Sequence, residues 1–340
     1  MSNVLTLPTN RTKYSFDQIL SNVSEQNYLK SDLLASPQSL WVNNDGKLVI
    51  DKVPYEMTEW ALNQICARLR IPYTYVAKCP PVLQSKNINN WIKRSPEEGT
   101  KWFIRLIKDN NGIPIVRGIL SESYSEFDNI NIIEILSNTL QGTDGEIVLW
   151  QPDKAEGGFH LRVAFPSLTE EVGTLPDGRK DLIQTGLHFS NSEVGKRSIT
   201  VAPMVYRLVC TNGLMRWDID GEVFRQRHIH VKRNEIYERV AVAVKNGIVQ
   251  GKELVNTFAA SKLLLVEDPM AIIENLGGYK DTFYFSKKTI EEVKTNYVIE
   301  KSSELDTMYD VVNALTRTAQ SLESDRRVAL ERFAFRLLTA

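Results

Sequence analysis

The chain holds four histidines (His160, His188, His228 and His230), and their spacing limits the chemistry open to it. His228 and His230 stand two apart in VFRQRHIHVKR, so on a strand both would project from one face and offer half of a metal site. No third ligand accompanies them. With Arg225, Arg227, Lys232 and Arg233 alongside, a solvated or phosphate-facing pair is the better reading. His188-Phe189-Ser190 has the form of a His-x-Ser unit that brackets a phosphate when a second such unit faces it, and no second unit exists. Asp218 and Asp220 share a strand face and could hold magnesium, although a surface turn closing at Gly221 explains them as well. Neither a phosphate loop ending in Gly-Lys-Ser/Thr, nor GxGxxG, nor GxSxG occurs. We therefore expect no cofactor and assign no catalytic residue.

Charge gives the stronger signal. Between Gly195 and Arg233 eight basic residues (Lys196, Arg197, Arg207, Arg216, Arg225, Arg227, Lys232 and Arg233) face three acidic ones (Asp218, Asp220 and Glu222). That local surplus sits in a chain whose formal net charge is -1. A polyanion such as nucleic acid fits it, because each neutralised phosphate releases condensed counterions. Tyr206, Trp217 and Phe224 stand among the cations, as aromatic rings do in grooves that stack the bases of a single strand. Tyr206 and Phe224 lie in apolar runs and read more readily as core, whereas Trp217 lies between Arg216 and Asp218. Ser190 to Ser192 and Gly195 either present amides to a phosphate or make the turn that lets two strands pair, and the turn is the safer claim.

The elements that must position these residues follow from pattern. Ser15 opens a helical stretch, NNDG closes a hairpin between Leu40 to Val42 and Lys47 to Ile50, and Thr58 caps a helix that Pro72 ends. DNNG joins β-prone runs at Lys101 to Ile107 and Ile113 to Leu120. Asp128 or Asn129 then caps a helix rich in isoleucine. Strands are expected at Glu146 to Trp150 and Gly158 to Phe165, with a turn at Leu175 to Gly178. Beyond the central stretch the pattern turns helical: residues 235 to 268, interrupted near Gly247 and Gly251, then Lys287 to Tyr297, Leu305 to Ser321 and Arg326 to Leu338. We expect an α+β fold, a mixed and mainly antiparallel sheet with flanking helices followed by a helical C-terminal region. The division expected is an N-terminal arm and hairpin (1–54), a core (55–233) and a helical region (234–340).

The 340 residues, 42% hydrophobic and 24% charged, suit a globular chain with a sizeable core. No apolar run approaches the roughly 20 residues of a membrane span, and the first residues lack a secretory signal, so a cytoplasmic location is expected. Cys66, Cys79 and Cys210 are too scattered for a disulfide framework or a zinc site and read as small buried hydrophobes.

Three ordered segments resemble a known family. SNSEVGKRSITVAPMVYRLVCTNGL is similar to the signature of phage and plasmid-like proteins grouped as domain of unknown function 932. ALNQICARLRIPYTYVAKCPPVLQSKNINNWI and VRGILSESYSEFDNINIIEIL resemble that family's upstream elements, so the likeness covers about residues 55 to 235. It implies a mobile-element origin, in a phage, prophage or plasmid, and brings no settled activity. Arg117, Ser121, Tyr124, Asp128 and Asn129 fit the upstream motif, and Asn191, Ser192, Gly195, Pro203, Tyr206, Arg207, Cys210, Asn212 and Gly213 the central one.

The leading expectation is a DNA-transaction protein that binds single-stranded DNA or RNA along a surface formed by Lys196, Arg197, Arg207, Arg216, Trp217, Arg225, Arg227, His228, His230, Lys232 and Arg233. Strand annealing or recombination, as a homo-oligomer without a membrane, is the setting envisaged. The alternative is an assembly protein whose tail oligomerises through Phe333, Phe335 and Leu337. An enzyme would need a pocket gathering Arg117, Tyr124, Asp128, Asn191 and Glu193.

Overall fold

Local sequence starts most of the elements. In the computed structural model, which describes residues 14–94, 99–109, 111–153, 157–175, 178–208, 212–215, 224–279, 284–301 and 304–339, Ser15 and Gln18 form a reciprocal capping box for α1 (Phe16–Asn27). β1 (Lys30–Ala35) follows, then a meander of β2 (Trp41–Val42), β3 (Leu48–Ile50) and β4 (Val53–Met57). Thr58 accepts from the Ala61 amide at 3.1 Å to open α2 (Glu59–Arg68), and α3 (Tyr73–Val76) and α4 (Pro81–Ile92) come next. β5 (Trp102–Lys108) and β6 (Pro114–Ser121) are joined through Gly112, whose φ of 76° is the left-handed conformation the DNNG turn requires.

α5 (Asn129–Leu140), β7 (Glu146–Asp153), β8 (Gly158–Thr174), β9 (Lys180–Ser192), β10 (Ile199–Arg207), β11 (Asn212–Met215) and β12 (Phe224–Gln226) complete the strand-rich part. α6 (Arg233–Ala260), α7 (Pro269–Glu274), α8 (Lys287–Glu300), α9 (Met308–Ala319) and α10 (Ser324–Thr339) form the helical end. The fold is α+β, as expected, with the strands divided between two sheets.

The first sheet runs β1-β5-β6-β4-β3-β2, antiparallel except where β4 meets β6. α2 and α4 cover it through Ile65, Cys66, Ile88 and Ile92 against Trp102, Ile104 and Val116. The second sheet runs β11-β10-β9-β8-β7, with β12 added on β10, and every pairing is antiparallel. Because strand side chains alternate, β8 and β9 bury two different layers. Phe159, Leu161, Leu187 and Phe189 pack under α1, α5 and α6, while Arg162 reaches the opposite helix α10. The helical end is thus laid on the sheet: Leu254 and Phe258 of α6 and Leu330 and Phe333 of α10 share a core with Val205 and Leu214.

Three expectations are corrected here. Gly247 and Gly251 do not interrupt a helix, since α6 runs unbroken for 28 residues; they are its points of closest approach to β9, where a Cβ would lie 2.7 Å from Leu187 Cδ2 and 2.3 Å from Thr185 Cγ2. Phe333 and Phe335 are buried in their own core and are not free for an intermolecular contact. His228 and His230 lie on no common strand face: they follow the end of β12, His228 is 3% exposed, and His230 is exposed with a φ of 52°.

Candidate functional site

The turn from β9 to β10 is gripped by the first sheet. Glu193 is fully buried; its carboxylate accepts from Lys30 Nζ at 2.6 Å, from the Asn129 amide at 2.8 Å and from Arg117 Nη1. Its carbonyl accepts from Arg105 Nη1 and Tyr124 Oη, both at 2.9 Å. Asp128 has the backbone of a helix cap but its side chain pairs with Arg105 at 2.8 Å, so the carboxylate at the start of α5 comes from Glu193, 64 positions away. Burial alone would raise the Asp128 carboxyl, yet Arg105 and Lys30 hold it below its ordinary value. Asn191 donates to Asn129 Oδ1 at 2.9 Å and meets His228 Nε2 through its own Oδ1 at the same distance.

Arg117, Tyr124, Asp128, Asn191 and Glu193 therefore do converge, but in solid packing. Lys30, Arg105 and Arg117 balance Asp32, Asp128 and Glu193, and the group joins the two sheets. Val194 is held in the same way, its carbonyl accepting from Trp60 Nε1 at 2.9 Å and Gln64 Nε2 at 2.8 Å.

On the other face of β9 lies a cavity of ≈ 370 Å³. Strand register builds its floor: Gln151 pairs with His160, His160 with Ser190, Ser190 with Thr200 and Thr200 with Arg225, a single row across five strands. The turn supplies Lys196 and Arg197 and α2 supplies Trp60. The first turns of α10 supply Asp325, Val328, Ala329 and Arg332. Arg197 donates to Asp325 through Nε at 2.6 Å and Nη2 at 2.7 Å, while its Nη1 is buried with no hydrogen-bond partner. Burial would raise the Asp325 carboxyl; hydrogen bonds from His160 and Arg197 reverse this and hold it well below the usual carboxylate range.

The two histidines form a directed chain. Arg162 Nε donates to His188 Nδ1 at 3.3 Å, which leaves the His188 proton on Nε2 to meet His160 Nδ1 at 3.4 Å, and the His160 proton on Nε2 to meet Asp325 Oδ1 at 3.2 Å. Burial, reinforced at His188 by the Arg162 charge, depresses both imidazoles, so both are neutral near pH 7. Every ring nitrogen is engaged, and neither ring offers a lone pair to a molecule in the cavity. The chain instead fixes Asp325, and through it Arg197.

The expected binding residues divide. Lys196, Arg197 and Arg225 meet at the cavity, and Lys196 also lies 5.9 Å from the Trp60 ring. Arg227 and Lys232 are exposed on the segment leaving β12, where Lys232 is 4.0 Å from Glu235, and Arg233 begins α6. Arg207 is withdrawn from any such surface: it is buried between Asp181 at 2.8 Å and Glu300 at 2.7 Å, seven residues and about 23 Å along β10 from Thr200. His228 is withdrawn as well, buried against Asn191. Tyr206 is buried in the core shared with the C-terminal helices, and Phe224 packs, partly buried, against the separate core under α1 and α5. Arg216, Trp217, Asp218, Asp220 and Cys210 lie outside the described residues, and Cys66 is buried, its thiol pushed up to about 11.

Sequence reading passed over Trp60, Asp325 and Arg332, which come from α2 and α10 and have no local mark. His160 and Arg162 carried one: polar residues alternating inside the apolar run of β8. Among the described residues no helix is long and apolar enough to cross a membrane, and no group of three or more His, Cys, Asp or Glu could hold a metal.

A family model described as Domain of unknown function (DUF932) matches residues 117–334. No curated protein and no solved structure matches the chain.

Proposed function

The chain belongs to the DUF932 family, and from the geometry of its cavity we propose that it binds single-stranded nucleic acid there, as a protein of phage or plasmid DNA transactions such as annealing or recombination. One observation carries this: Lys196, Arg197, Arg225 and Arg332 line a single cavity with one carboxylate, Asp325, among them. Arg227 and Lys232, exposed on the strand exit from that cavity, extend the positive surface along which a backbone can run. Trp60, partly exposed at the cavity and fixed by its hydrogen bond to Val194, supplies the stacking ring.

Binding of an internally labelled oligothymidylate, followed by fluorescence anisotropy, tests this. Three or four phosphate contacts predict a log–log salt slope of about -2 to -3. The Lys196→Glu, Arg225→Glu double variant should bind at least about tenfold more weakly. No affinity at low salt, or an unchanged affinity in the double variant, would end the proposal.

A second reading, an assembly protein, is favoured by a different feature. Leu263, Leu264 and Leu265 are exposed, and the Leu265–Thr307 bridge brings them beside the exposed Leu305. An exposed apolar group of this size marks a contact surface, and a second copy of this chain is the occupant proposed. Leu263→Asp with Leu265→Asp should then lower the mass measured by sedimentation; a monomeric parent protein would exclude it.

A further inference from the structure

We propose that the cavity is built for the phosphomonoester at the end of a nucleotide chain, in preference to the diesters along its length. This rests on the nucleic-acid reading and sharpens it. The first support is shape. Beneath the cavity runs a continuous sheet, on which His160, Ser190 and Thr200 are each at most 7% exposed, and α10 lies over it with Val328 and Ala329. A diester inside a strand needs a way in and a way out for two chains. A recess floored by a sheet and roofed by a helix seats a terminal group more readily than a chain that must pass through. Its ≈ 370 Å³ falls near the small end of the roughly 300–1,000 Å³ typical of small-molecule sites.

The second support is charge. Four cations and one carboxylate line the cavity, the histidines are neutral, and Asp153 stands 4.0 Å from Lys196 at its edge, so the lining itself is positive. A phosphomonoester carries about -1.5 to -2 near pH 7, with three acceptor oxygens. The diester carries about half that charge and leaves two oxygens free. The donors suit the larger demand. Arg197 Nη1 is buried over Gly158 without a hydrogen-bond partner, its other two nitrogens held in a bidentate pair with Asp325, and Ser190 stands on the cavity floor across the β9–β10 pairing from Thr200, whose own hydroxyl donates to the Ser198 carbonyl at 3.3 Å. Asp325 would repel a phosphate if its charge were uncompensated; both its oxygens are already taken by Arg197, and one also by His160. The histidine chain, closed from Arg162 to Asp325, holds Arg197 in place without presenting a base, so the site binds the end group and does not cleave it.

The test uses the full chain and three internally labelled oligonucleotides of one sequence, carrying a 5′-phosphate, a 3′-phosphate or hydroxyls at both ends. One of the phosphorylated ends should raise affinity by about tenfold or more. Millimolar inorganic phosphate should erase that gain, and Ser190→Ala should cut the ratio between phosphorylated and unphosphorylated strands to less than about threefold. Equal affinity for all three strands would overturn the inference while leaving nucleic-acid binding intact. A nucleoside monophosphate that binds as tightly as the phosphorylated strand would overturn it in favour of a free nucleotide. Failure of all three strands to bind would remove the underlying reading as well.

Discussion

His160 and His188 show how one proton in the wrong place would cost the fold. Their chain works only with each Nδ1 unprotonated, because Arg162 donates to one and His188 to the other. Burial, with the Arg162 charge beside His188, disfavours the protonated rings and holds both pKa values below the ordinary 6.5, and a proton added at either ring would also set two N–H groups facing each other. The unfolded chain takes up these protons near pH 6.5 and the folded chain does not, so the contribution of the pair is complete above that pH and lost as pH falls. Each group adds a slope of up to about 1.4 kcal/mol per pH unit below 6.5. Urea denaturation at pH 7.5, 6.5 and 5.5 should show this decline. His160→Gln, whose amide can still donate to Asp325 and accept from His188, should flatten it by about one group. An identical slope in the variant would mean that His160 titrates normally.

At the level of the elements, α6 and β9 decide how the sheet is covered. Glycine inside a helix costs about 1 kcal/mol relative to alanine, so propensity alone would favour Gly251→Ala. Packing opposes it: the new Cβ would stand 2.3 Å from Cγ2 of Thr185, a stiff β-branched side chain on the strand beneath. Overpacking of this kind costs about 1–3 kcal/mol, so we expect Gly251→Ala to lose stability in thermal melts and Thr185→Ser, which deletes that methyl, to recover much of it. Gly247→Ala meets only the flexible end of Leu187 and should be closer to neutral. The two glycines are visible in the sequence as helix breakers. They were misread because what they make room for belongs to another strand, some 60 residues earlier in the chain.

For the molecule as a whole, the joint between the sheets is the β9–β10 turn. The family match begins at Arg117, inside β6, whereas Lys30, Trp60, Gln64 and Arg105, which hold Glu193 and Val194, all precede it. A fragment of residues 117–340 would leave the buried Glu193 carboxylate without Lys30 and β6 without β5, and losing one partner of a buried charge typically costs about 3–5 kcal/mol. Such a fragment should give no cooperative melt by circular dichroism where the full chain does; a sharp transition in the fragment would show that the first sheet is dispensable. What the amino-acid order determined by itself is local: the Ser15 and Thr58 caps, the DNNG hairpin, the strand and helix periods, the α+β class and the local surplus of cations. All of these depend on neighbours within a few residues, where backbone sterics and hydrogen-bond reach leave few choices. Only the tertiary structure decided which cations share a site. Arg197 and Arg207 look alike in the chain, yet register and burial place one beside Asp325 at the cavity and the other between Asp181 and Glu300 in the core, since charge pairing acts through space and the partners come from α10, β9 and α8.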